Sequence, residues 1–67
     1  MRITYDSKYD ILYLALIPEP GEVETAHATD DIALDFDAQG RLAGIEVLSA
    51  SKHLDLAALL PVAVEQR

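Results

Sequence analysis

Cysteine is absent from the chain, which excludes disulfide staples and thiolate zinc sites and removes any sign of an oxidising compartment. Cations are scarce: five Lys and Arg stand against twelve Asp and Glu, for a formal charge of -7. The five (Arg2, Lys8, Arg41, Lys52 and Arg67) are scattered, so no basic stripe forms and nucleic-acid binding is not expected. Long apolar runs are missing too. Ile11 to Ile17 and Leu56 to Val64, the second broken by Pro61, fall short of the roughly 20 residues that cross a bilayer. The opening Met1-Arg2-Ile3-Thr4-Tyr5-Asp6 lacks the pattern of a signal peptide. These absences predict a soluble, cytoplasmic protein with no membrane partner.

Catalytic signatures are also lacking. There is no glycine-rich phosphate loop, no nucleophile elbow and no pair of histidines at metal spacing, so no cofactor, metal or catalytic residue is predicted.

What remains is one domain, residues 1–67. A chain of this size buries only about 60% of the surface it exposes when unfolded. Small domains of this kind often lean on a partner chain. An acidic surface suits a basic partner protein, although it also serves solubility alone.

Five short strands and one helix can be read along the chain. Arg2 to Tyr5 alternates polar and apolar residues, and Asp6 to Asp10 is a turn rich in side chains that bond locally to the backbone. Ile11 to Ile17 is a β-branched and aromatic run closed by Pro18-Glu19-Pro20-Gly21. Glu22 to Ala28 alternates weakly, with Val23, Thr25 and His27 in phase, and its glutamates suit an edge strand. After Asp30-Asp31, the residues Ile32, Leu34 and Phe36 give the clearest period-2 signal.

Asp37 to Arg41 reads as a hairpin loop with Gly40 in the left-handed region and an exposed Asp37–Arg41 ion pair. Leu42 to Leu48 returns, and its phase slips between Leu42 and Ile45, which predicts a bulge at Gly44. Ser49 to Leu60 is read as a helix capped by Ser49 or Ser51. Leu54, Leu56, Leu59 and Leu60 form its apolar stripe, or else Asp55 begins a separate shorter turn. The tail runs from Pro61 to Arg67. The fold class is α+β: an antiparallel sheet of about five strands (residues 2–48) with a C-terminal helix (49–60) on one face.

The predicted core face carries Ile3, Tyr5, Leu12, Leu14, Leu16, Val23, Ile32, Leu34, Phe36, Leu42, Ile45 and Val47. Five strands make a sheet roughly 20 Å wide, whereas one helix is about 10 Å across, so the helix covers about half of it. The outer face carries Ile11, Tyr13, Ala15, Ile17, Ala33 and Ala43 beside Asp35 and Glu46. A freely solvated face is expected to be mostly polar. Ile11, Tyr13, Ala15 and Ile17 are therefore the candidate interface, and a homodimer is the predicted assembly.

The polar candidates are fewer. His27, Asp35 and Glu46 are a possible small-ligand or metal site, with Asp35 and Glu46 as cross-strand neighbours on the outer face. Set against this, a strand histidine with a backbone partner and a solvated carboxylate face explain the same residues. His53, beside Ser51, has no evident orienting group, and helix capping accounts for the serine.

Ile3-Thr4-Tyr5-Asp6, Asp10-Ile11-Leu12-Tyr13-Leu14, Ile32-Ala33-Leu34-Asp35-Phe36-Asp37 and Gly40-Arg41-Leu42-Ala43-Gly44-Ile45-Glu46-Val47-Leu48-Ser49-Ala50-Ser51 together resemble the bacterial domain of unknown function 2283 family. The resemblance spans residues 1 to about 54. It implies a compact antiparallel sheet with a C-terminal helix, and no assigned activity or catalytic residue. Because some relatives are encoded beside small toxin-like proteins, it also implies an antitoxin-like role with a small basic partner.

Overall fold

In a computed structural model, which describes residues 1–59 and 64–66, the alternating segments are strands of one sheet. They are β1 (Arg2–Asp6), β2 (Ile11–Ala15), β3 (Glu24–His27), β4 (Ile32–Phe36), β5 (Leu42–Leu48) and β6 (Val64–Gln66). The order across the sheet is β3-β4-β5-β2-β1-β6. The first five are antiparallel neighbours. β6, which falls in the segment read as a tail, lies parallel to β1 with Ile3 opposite Val64. Leu60, Pro61 and the start of the tail lie outside the described residues.

Local chemistry sets the turns. Asp6 accepts from the amides of Lys8 (3.0 Å) and Tyr9 (3.3 Å) at the β1–β2 turn. In the β4–β5 hairpin Gly40 has φ 78, the left-handed value the loop requires. The Asp37 side chain there is buried, 7% exposed, rather than part of a surface pair. Its carboxylate accepts from the amides of Gln39 (3.0 Å) and Arg41 (2.8 Å) and from Arg41 Nε (2.8 Å). Burial works to raise the Asp37 pKa, but the Arg41 and Gln39 bonds outweigh it and hold the carboxyl below its usual range.

The expected bulge is present. Asp35 faces Gly44 and Phe36 faces Leu42, which leaves Ala43 as the extra residue. Ala43 is 2% exposed, not open on the outer face, and its carbonyl accepts from Leu16 N (2.8 Å) and Ile17 N (3.2 Å) just past the end of β2.

The helix is shorter than expected. α1 (Ala50–His53) is a single turn, and Leu54 is extended. A separate 3-10 turn, Leu56–Leu59, follows. Asp55 opens it by accepting from Ala58 N (3.0 Å). The leucine spacing explains the break: Leu54 is left exposed, while Leu56 and Leu59 pack on the core. That core is centred on Ile3, Leu12, Val47 and Ala50.

β3 sits in the opposite phase to the one expected. Ala26 pairs with core-facing Leu34, so Thr25 and His27 face outward, and Val23 precedes the strand at 40% exposure. Pairing with β4 decides this, because a one-residue slip turns every side chain over.

The result is a slab of 34 × 25 × 18 Å with a radius of gyration of 12.0 Å, against about 11 Å for a compact chain of this length. It exposes 4822 Å², where a compact monomer of 7.3 kDa exposes about 4,200 Å². Ala50, Leu56 and Leu59 place α1 and the 3-10 turn on the core side. Among the described residues nothing is layered on the other side.

Candidate functional site

The uncovered face is built around Tyr13, in the middle of β2. Register places Thr4 on one side of it and Glu46 on the other. Its ring leans across β5 over Gly44, where a Cβ would collide with the Tyr13 Cζ and hydroxyl. Glycine at this position lets an aromatic ring lie flat against the sheet.

The Tyr13 hydroxyl donates to Asp35 Oδ2 (3.0 Å), and Thr25 Oγ1 donates to Asp35 Oδ1 (2.6 Å). Burial first, then the Asp35 bond and the charges of Asp35 and Glu46, push the Tyr13 phenol above its ordinary pKa. The phenol therefore stays a neutral donor at physiological pH and is unsuited to act as a phenolate nucleophile or base.

The candidate interface residues fall where the alternation places them. Ile11, Tyr13 and Ala15 share this face, Ile17 continues beyond the strand end, and all four are half-buried. Leu48, opposite Ile11, extends the apolar strip.

The candidate polar site does not assemble. Glu46 pairs with Ala33 and Asp35 pairs with Gly44, so the two carboxylates are diagonal rather than directly opposed. His27 faces the far side of Ala33, two strands from Glu46, about 10 Å away. His27 is exposed, not a half-buried strand histidine. Both Asp35 oxygens already accept hydrogen bonds. Among the described residues no group of three His, Cys, Asp or Glu side chains converges on a metal position.

A second cluster lies at the end of the sheet where the β1–β2 turn meets α1. Asp10, at φ 56, accepts from Tyr5 Oη (2.7 Å) on Oδ1 and from Ser51 Oγ (2.6 Å) on Oδ2, with Ser51 N at 3.1 and 3.3 Å from the two oxygens. Its carbonyl also accepts from Ala50 N (2.9 Å). The Ser51 bond, followed by that of Tyr5, holds the Asp10 carboxyl below its ordinary pKa. The helix is thus capped by an aspartate from a distant turn. Ser49, in the left-handed region, makes no side-chain cap bond.

His53 ends α1, and its Nε2 lies 2.8 Å from Asp31 Oδ2. Ser51 gives its proton to a carboxylate and His53 is engaged elsewhere, so no serine–imidazole pair forms. The signals for these partnerships, Thr25 in phase with the outer face and Asp10 in a left-handed turn, emerge only once the register is known.

No helix among the described residues is long and apolar enough to cross a membrane. Comparison with known families gives a match over residues 2–51 to the family described as "Protein of unknown function (DUF2283)". The matched stretch contains Tyr5, Asp10, Tyr13, Gly44 and Ser51, and stops before the 3-10 turn. No curated protein and no solved structure matches the chain.

Proposed function

The chain belongs to the DUF2283 family, whose description assigns no activity, and from that premise we propose that it is a non-catalytic protein-interaction module that self-associates through the outer face of its sheet. The observation that carries this reading is the half-buried strip Ile11–Tyr13–Ala15–Ile17 on a face that no described element covers. A stable interface takes about 800 Å² from each partner, which fits on a 34 × 25 Å face. Tyr13 is pinned by Asp35 and Gly44, so little side-chain freedom is lost when it docks.

Sedimentation equilibrium across a wide concentration range tests the proposal. A dimer that Ile11→Lys or Ile17→Lys dissociates, with the fold retained by circular dichroism, supports it. A monomer at millimolar concentration overturns it.

The charge of -7 favours a small basic protein as the heterologous partner, which is what an antitoxin-like role requires. The competing reading is a ligand or metal domain built on His27, Asp35 and Glu46. It is weakened by the commitment of Asp35 to Tyr13 and Thr25. A rise in melting temperature with divalent cations would restore it.

A further inference from the structure

β3 ends the sheet, and among the described residues nothing pairs with its outer side. All four of its residues are exposed. The direction of its backbone groups follows from the ladder. Ala28 N donates to Ile32 O (2.8 Å), so Ala28–Ile32 is a hydrogen-bonded pair, and in an antiparallel ladder such pairs alternate. Ala26–Leu34 and Glu24–Phe36 are then the bonded pairs, and Thr25 and His27 turn their N–H and C=O away from β4. The other side of β4 agrees. Leu48 N donates to Asp31 O (2.7 Å), which directs Ala33 and Asp35 toward β5 and leaves them unavailable to β3.

Natural edges are usually blunted by proline, lysine, a bulge or a covering element. Among the described residues Glu24–His27 has none of these: the prolines sit upstream at Pro18 and Pro20, and the bulge lies between β4 and β5. Its protection among the described residues is its shortness, four residues, and negative charge from Glu22, Glu24 and Asp30. Such charge repels the same acidic edge of another copy and attracts a cationic strand. At the start of β3 an open depression lined by Glu22, Glu24 and Phe36 among others offers carboxylates and apolar surface to a long cationic side chain.

We infer that the free edge of β3 receives an extended, basic segment of a partner chain by strand addition. Thr25 and His27 supply the backbone hydrogen bonds, and Glu22 and Glu24 supply the charge complement. This rests on the reading of the chain as an interaction module and is independent of self-association, which uses the other surface.

The test is a nuclear magnetic resonance titration of the full ¹⁵N-labelled chain with a blocked peptide of alternating lysine and valine. Two further versions carry N-methyl groups on one or the other set of alternate residues. Strand addition predicts saturable shifts centred on the Thr25 and His27 amides. It also predicts that one methylation frame weakens binding about tenfold or more while the other leaves it nearly unchanged, because only one frame faces the edge. Equal binding by both frames overturns the proposal, as do shifts spread over scattered carboxylates or no shifts at millimolar peptide. Sedimentation of the same samples reports self-association separately, so either reading can fail alone.

Discussion

Two clusters of the same composition occupy different places in this molecule. Each joins a tyrosine phenol, an aspartate and a hydroxyl: Tyr5–Asp10–Ser51 at the end of the sheet, and Tyr13–Asp35–Thr25 on its open face. In the first, the aspartate binds groups 41 residues away, ties α1 to the β1–β2 turn and supplies the helix cap. In the second, the aspartate binds two side chains already held beside it by strand pairing, and orients a ring that lies over Gly44 on the open face. The difference separates a clamp that closes the fold from a brace that shapes a surface. Closing requires bonds between elements that nothing else joins. Bracing adds order to neighbours that the ladder has already placed.

The largest effect that tests this contrast comes from Asp10→Ala. It leaves the Ser51 and Tyr5 donors and the α1 N-terminus without their acceptor, and it is expected to lower the melting temperature more than any other single substitution in either cluster. Asp35→Ala is expected to cost less in the same assay. Acid titration sharpens the point. The folded Asp10 pKa lies below its ordinary 3.8, so its contribution is complete above that value and is lost as pH falls through the lower folded value. Asp37, lowered likewise, adds to the same limb. In Asp10→Ala the acid limb is therefore expected to be shallower but still present. A limb identical to that of the unsubstituted protein would mean that Asp10 contributes nothing to it.

The same contrast explains what was readable in the sequence. Several local signals hold in this chain. Ile32, Leu34 and Phe36 alternate, Gly40 turns the hairpin, and the phase slip between Leu42 and Ile45 is a bulge. These follow from the period of the pleat and the conformational freedom of glycine, both properties of a few adjacent residues. Illegible were the features set by distant chain. The cap of α1 comes from Asp10, β6 pairs with β1 from the other end of the chain, and the phase of β3 is imposed by Leu34 opposite Ala26. The shared face of Ile11, Tyr13 and Ala15 was legible because alternation places it. The partner of Asp35 was not, because Tyr13 lies 22 residues away and reaches it across Gly44.

The next effect in size belongs to Gly44→Val. The new side chain meets the Tyr13 ring, and overpacking of this kind costs about 1–3 kcal/mol. The informative measurement is the double-mutant cycle with Tyr13→Ala. Once the ring is gone, valine meets only the Leu14 carbonyl, at 3.2 Å from its Cβ, and is expected to cost less, so the two costs are non-additive. Additive melting shifts would mean that the ring does not rest on Gly44, and the brace would lose its seat. Ser51→Ala ranks third. Loss of the hydroxyl that donates to the Asp10 carboxylate costs about 1 kcal/mol, or roughly 4–8 °C in a domain of this size.

Thr25→Val is expected to be the mildest. The hydroxyl it removes is exposed and gives a single bond to Asp35, which keeps Tyr13. Valine restores strand propensity, so the net loss is expected to stay below about 1 kcal/mol. The Thr25 amide, which faces away from β4, is untouched, and strand addition at the edge should survive the change. Thermal melts of Thr25→Val and Ser51→Ala run side by side then decide the comparison. If the threonine costs as much as the serine, the open-face cluster holds the fold as firmly as the clamp does. If it costs distinctly less, the order around Tyr13 is not there for stability, and its use lies in what that face meets.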